Sequence, residues 1–223
     1  MTAFDWSPCQ PPALPPTRGH YVEVTPLDPE RDGDALFAAL GGEHNDELWR
    51  FIPFGPFETA DQLTAALVGV AKALGWLTHL LRNPETEEVL GMASYMRLRP
   101  EVGSAEVGGT MYSSKLQRTP AATEAMFFMA RHLFDDLGYR RYEWKCDDDN
   151  TASKRAAQRL GFTFEGVFRQ DLVVKGKNRD TAWFSILDRE WPRTKAAFEA
   201  WLSPQNITVE GRQRLSRAAL REG

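Results

Sequence analysis

At 223 residues the chain is long enough for one sizeable domain with a real core and short for two. Its 42% hydrophobic and 26% charged residues are ordinary globular composition, and a formal net charge of −4 gives no concentrated basic surface for nucleic acid. Two cysteines, Cys9 and Cys146, cannot build a disulfide framework, and no apolar run approaches the roughly 18 residues of a membrane span.

The chain opens with "MTAFDWSPCQPPALPPTRGH", whose prolines favour an extended segment lying on a surface or ordered only when it meets one. It lacks a basic start followed by an apolar stretch, so no secretory signal is expected and a cytoplasmic protein fits best. We take residues 1–18 as a leader, 19–203 as the domain and 204–223 as a polar tail. "YVEVTPL" alternates as a strand. Two helices follow, near 31–40 and 59–74, the second with Leu63, Leu67, Val70 and Leu74 at helical spacing. Between them "ELWRFIPFGPFET" is too aromatic and proline-rich for either element. It reads as a self-packed loop or as a pocket wall, with Trp49, Phe51, Phe54, Phe57 and Trp76 available to line it.

"WLTHLLR" and "VLGMASYMRL" flank the turn-rich "NPETEE" and predict a hairpin. "SAEVGGTMY" is a further strand whose paired Gly108 and Gly109 suggest a bulge or the close approach of another molecule. In "KLQRTPAATEAMFFMARHLF" a compact turn runs into a helix, with Met126, Met129, Ala130, Leu133, Phe134 and Leu137 on one stripe and Gly138 as the stop. Strand "RYEWKC", a short helix over about 151–160, strands "FEGVFRQDLVV" and "TAWFSIL" joined by a "KGKNRD" turn, and helix "RTKAAFEAWL" complete the order. This is an α+β arrangement: a mixed, mostly antiparallel central sheet flanked by helices, with one parallel crossover where the sheet can splay into a cleft.

If Thr119 caps the long helix and Pro120 sits at its first position, the proline loses no hydrogen bond, and the remaining first-turn N–H groups face outward. They suit an anion such as a pyrophosphate, which small side chains at Ala121 and Ala122 would let approach; read alone, "RTPAAT" is equally an efficient helix start. The segment "CDDDNTASKRAAQRLGFTFEG" adds Asn150 at a helix entrance and Lys154, Arg155 and Arg159 as a basic rim suited to a phosphorylated ligand.

Gln117-Arg118-Thr119-Pro120-Ala121-Ala122, continued by Thr123-Glu124-Ala125, resembles the pyrophosphate-binding signature of the GNAT superfamily of acyl-CoA-dependent N-acyltransferases. Asn150, followed eleven residues later by Gly161-Phe162 and then Glu165-Gly166, is similar to its second signature. The branch resembled is that of the ribosomal-protein-alanine and serine acetyltransferases, and the likeness covers about Gly19 to Trp191. It implies an enzyme moving an acetyl group from acetyl-CoA to a primary amine, whether a protein N-terminus, a peptide or a small molecule, without a metal. Succinyl-CoA or another acyl donor, and a non-catalytic acyl-CoA-binding module, stay open beside it. The implied cofactor contacts are Met111, Gln117, Arg118, Thr119, Ala121, Ala122, Thr123, Asn150, Ser153, Lys154, Arg155 and Arg159.

Two departures stand out: Pro120 replaces the usual glycine and removes an N–H donor, and Ala157 stands where many relatives carry a tyrosine acid. For chemistry, Glu106 is the expected base, since its strand feeds the cradle; an ordinary solvent-facing strand carboxylate is the alternative. A backbone N–H near Gly109 to Met111 would meet the thioester carbonyl. Ser153, one turn before Ala157, would orient or protonate the leaving thiolate, unless it is a surface or capping serine. His20, His44, His79 and His132 show no metal-ligand spacing, and His132 reads as a satisfied boundary residue. Arg179 and Asp180, placed in the "KGKNRD" turn, would be free to reach an acceptor or the partner in a homodimer.

Overall fold

A computed structural model describes residues 6–206 and 214–215. One eight-stranded sheet runs in the order β1-β2-β3-β4-β5-β6-β8-β7. Its strands are β1 Thr17–Arg18, β2 Glu23–Pro26, β3 Leu77–Arg82, β4 Val89–Arg99, β5 Ser104–Tyr112, β6 Arg141–Asp147, β7 Thr163–Val174 and β8 Lys177–Leu187. Every pairing is antiparallel except β5 with β6. The architecture expected from the element order is therefore present, with β1 as an addition.

Helices α1 (Pro29–Leu40) and α2 (Ala60–Leu74) cover one face of the sheet, burying Leu36, Leu40, Leu63 and Leu67 against Leu80, Met92 and Met111. Asp28 and Thr59 cap these two helices through their side chains. On the other face α3 (Pro120–Arg131), α4 (Thr151–Arg159) and α5 (Trp191–Leu202) pack over β5, β6 and β8. Residues Ala121 to Ala130 of α3 are all buried, so this helix is enclosed on every side rather than half-exposed. The regular helix ends at Arg131 and continues as a π-helical turn over His132–Asp136, earlier than the apolar stripe to Leu137 suggests.

From Trp6 onward the leader is extended and attached to the body. Cys9 N–H donates to the Pro100 carbonyl at 2.9 Å, Ala13 N–H to His132 Nε2 at 3.2 Å, and Leu14 is buried in the core. His132 also bonds Asp136 at 2.9 Å and is satisfied, as its position suggested. Most of the tail beyond Asn206 lies outside the described residues. The "KGKNRD" segment is corrected: the turn is confined to Lys175-Gly176, and Arg179 and Asp180 belong to β8. Gly176, with φ of 74°, closes so tight a hairpin that the strand resumes at once.

Candidate acyl-transfer cleft

The parallel pair is held together at one end and open at the other. Ser104↔Arg141 through Val107↔Trp144 are in register, and no pairing continues beyond. At the closed end Glu143 Oε1 accepts from Arg99 Nη2 (2.7 Å), Ser104 Oγ (3.2 Å) and Arg141 Nε (2.7 Å). Arg141 also forks onto both oxygens of Glu165 at 2.8 and 2.6 Å, tying in β7. At the open end β5 bulges: Ser94 faces Gly108, Met92 faces Met111, and Gly109 and Thr110 together oppose the single Ala93. Gly109 has φ of 55°, which glycine adopts without strain. A side chain at Gly108 would strike the Met96 sulfur and crowd Glu106. The paired glycines thus make both the bulge and the room beside the carboxylate.

Glu106 lies on the floor of this opening and is 3% exposed, which removes the solvent-facing alternative. Its Oε2 is 2.9 Å from Lys145 Nζ and 3.6 Å from Arg97 Nε. Burial pushes the Glu106 carboxyl up from its ordinary value, and the two cations oppose that shift without cancelling it. The indole of Trp183 sits between the same cations, 5.1 Å from the Arg97 guanidinium carbon and 4.8 Å from Lys145 Nζ. Lys145, Arg97 and Trp183 were not singled out from sequence. The available signal was the polar alternation Arg141, Glu143, Lys145 along a core strand.

The open end leads to the start of α3. Thr119 caps it, accepting from Ala122 N–H at 3.4 Å, with Pro120 at the first position as expected. Gln117 Nε2 donates to the Tyr112 carbonyl at 2.9 Å, and Arg118, exposed with φ of 62°, turns the chain into the helix. Ala121 and Ala122 differ from expectation. Both side chains are buried in the core, because they share the inward surface with Ala125 and Met126, so only the backbone here is open to an anion. Thr123 is buried too and accepts from Arg159 Nη1 at 2.9 Å across the gap between α3 and α4. Met111 is a core residue, and any role in binding rests on its backbone.

On α4 the Asn150 carboxamide oxygen caps the helix by accepting Ser153 N–H at 3.0 Å. Ser153 Oγ accepts the Trp144 indole N–H at 2.9 Å. Burial raises the Cys146 thiol, an effect partly offset by its hydrogen bond with Ser153. The serine hydroxyl is thus engaged with protein partners. Lys154 pairs with Asp148 at 2.9 Å, whereas Arg155 is exposed. Ala157 is buried in the core, so the position cannot present an acid. Tyr112 has a buried hydroxyl without a hydrogen-bond partner among the described residues, and burial pushes its phenol up while the Arg159 charge opposes this.

Trp49, Phe54, Phe57 and Trp76 pack on one another, with ring centroids 5.1–6.2 Å apart and Trp49 fully buried, so the loop is self-packed; Phe51 instead lies beneath Arg50. The tip of the β7–β8 hairpin reaches this cluster, where Lys175 Nζ donates to the Trp49 carbonyl at 2.8 Å. Among the described residues no group of side chains is arranged to hold a metal ion, and no helix is long and apolar enough to cross a membrane.

The profile of the acetyltransferase (GNAT) domain matches residues 22–163, more than half of the chain and the whole of this cleft apart from the β7–β8 hairpin. The chain belongs to the GNAT acetyltransferase family. A GCN5-related N-acetyltransferase from Brucella melitensis is 40% identical and superposes with a TM-score of 0.92, covering 98% of this chain and 99% of its own. The uncharacterized N-acetyltransferase YoaA of Bacillus subtilis is 27% identical over 164 residues, 71% of this chain and 89% of YoaA. A ribosomal-protein-alanine acetyltransferase from Vibrio fischeri shares the fold at 18% identity and a TM-score of 0.62, over 79% of this chain and 98% of its own. These likenesses support an acyltransferase built on a GNAT fold.

Proposed function

We propose that the protein transfers an acetyl group from acetyl-CoA to a primary amine by direct attack within a ternary complex. The observation that carries this reading is the buried carboxylate of Glu106 at the floor of an opening between parallel strands that leads to a capped helix start. The residues present fit an acyl-CoA. First-turn amides over Arg118–Thr123 would take the pyrophosphate, with Gln117 and Thr119 shaping the turn. Asn150 would meet the pantetheine arm through its amide N–H₂, and Arg155, with Lys154 and Arg159, the ribose phosphate. Pro120 costs the cradle one donor, which Arg159 and Arg118 are placed to offset.

The bound thioester supplies an activated acyl group. The amine must reach it uncharged, and Glu106 accepts a proton from the amine nitrogen, directly or through one water. Lys145 and Arg97 oppose the burial that raises that carboxyl. A backbone N–H between Gly109 and Met111 faces the carbonyl oxygen as it gains charge. Ser153, held by Trp144, orients the sulfur side, and the thiolate takes its proton from water. A protein N-terminus, a peptide or a small-molecule amine all satisfy this chemistry. The Lys175 contact with the aromatic loop would favour a thin acceptor. A cytoplasmic location would give it access to acyl-CoA.

A second reading, a non-catalytic acyl-CoA-binding module, draws on Pro120 and Ala157; succinyl-CoA or another donor is a third. Thiol release from acetyl-CoA and succinyl-CoA, with small amines and peptides of varied N-terminus, tests all three. Release that depends on the acceptor supports the enzyme and names the donor. Binding without release supports the module.

A further inference from the structure

β7 is the free edge of the sheet, and five of the eight exposed large apolar side chains among the described residues lie on it: Phe164, Val167, Phe168, Leu172 and Val173. Val173 is 78% exposed and Phe168 55%. A solitary exposed apolar residue needs no explanation, but this many on an unpaired edge strand is an aggregation hazard unless something covers it. The sequence of the strand indicates what does.

Reading outward from Gln170, the flanking pairs are Arg169 with Asp171, Phe168 with Leu172, and Val167 with Val173. Each pair is either oppositely charged or apolar on both sides. A strand with this symmetry is complementary to an antiparallel copy of itself turned about an axis through Gln170. Arg169 then meets Asp171 of the second copy twice over, and apolar side chains meet apolar ones. An unrelated partner would require no such symmetry.

We infer that two copies of this chain associate through the outer edge of β7, with the two-fold axis at Gln170. The contact is a side-chain interface in two flanks rather than an unbroken ladder. Gln170 has φ of 54°, its N–H is already given to Asp180 Oδ1 at 2.8 Å, and β7 bulges between Phe168 and Leu172. Such an interface leaves Glu106 and the start of α3 to each copy. It would also hold the hairpin whose tip touches the Trp49 carbonyl.

The test is the mass of the full chain by sedimentation equilibrium. The wild type should be a dimer at micromolar concentration. Arg169→Asp sets acid against acid across the axis, and Asp171→Arg sets base against base; each variant alone should have half the wild-type mass. Their equimolar mixture should recover the dimer mass, and so should the double variant with both changes in one chain. Val173→Lys, at a position too exposed to disturb folding, should also be monomeric, with an unaltered circular dichroism spectrum. A monomeric wild type, single variants that remain dimers, or a mixture of folded single variants that fails to associate would each overturn the proposal. Capture of a peptide acceptor at this edge by a monomeric wild type would do so too.

Discussion

Lys145 Nζ lies 2.9 Å from Glu106 Oε2, across the parallel strands whose pairing stops one residue beyond the carboxylate. The lysine is therefore the counter-charge that decides how acidic the proposed base is. Burial raises the Glu106 carboxyl, and the lysine is the largest opposing influence. The acidic limb of kcat/KM should accordingly lie above the ordinary glutamate value of about 4.3. Lys145→Met should move that limb to still higher pH, because burial then acts with less opposition. A pH–rate profile of the variant measures this, and an unmoved limb would separate Lys145 from the chemistry.

Glu124 connects α3 to the start of the sheet. Its carboxylate accepts N–H bonds from His20, Tyr21 and Val22 at 3.1, 2.7 and 2.8 Å, and it is buried. Glu124→Ala leaves three amides without their partner, so urea unfolding should show a loss of about 3 kcal/mol or more. Glu124→Gln, which keeps one acceptor oxygen, should lose less.

Much of the fold could be read in the sequence, because its signals are local. Thr119-Pro120 at a helix start, Gly138 at a stop and the alternating hairpin strands each depend on neighbouring residues. What could not be read depends on contacts distant in the chain. Thr123-Glu124-Ala125 is recognisable as a motif, yet nothing local shows Glu124 gripping residues about a hundred positions earlier. The leader reads as a loose proline-rich segment because the chain alone cannot show Leu14 entering the core or His132 meeting Ala13. Ala121 and Ala122 read as room for a ligand because small residues serve close packing and close approach alike. Glu106 was found through its strand, whereas Lys145, Arg97 and Trp183 come together around it only through the sheet register.

Arg155 and Arg159 are both exposed, but Arg159 reaches Thr123 and Lys154 pairs with Asp148. Arg155→Ala should weaken CoA more than dephospho-CoA, and the difference should shrink as salt is added. Calorimetry with the two ligands measures the ratio, and an unchanged ratio would remove Arg155 from the phosphate site. Ala122 is unsuited to such a test, because a larger side chain there would break the core before it reached a ligand.

Lys175 ties the tip of the β7–β8 hairpin to the Trp49 carbonyl, and if that contact borders the acceptor path it limits acceptor size. Lys175→Met should leave CoA affinity unchanged and alter KM for the acceptor, with bulky amines gaining most. Steady-state kinetics over acceptors of increasing size measures this; a parallel change in CoA affinity would assign the lysine a different role.

The central claim is that Glu106 takes the proton of an amine attacking an acyl-CoA. Its most direct test is thiol release from acetyl-CoA with a reactive amine, comparing the wild type with Glu106→Gln at matched CoA occupancy. Removing a general base should slow release on the order of 10²-fold or more and abolish the acidic limb, with CoA affinity retained. A Glu106→Gln enzyme that keeps both its rate and that limb would contradict the account.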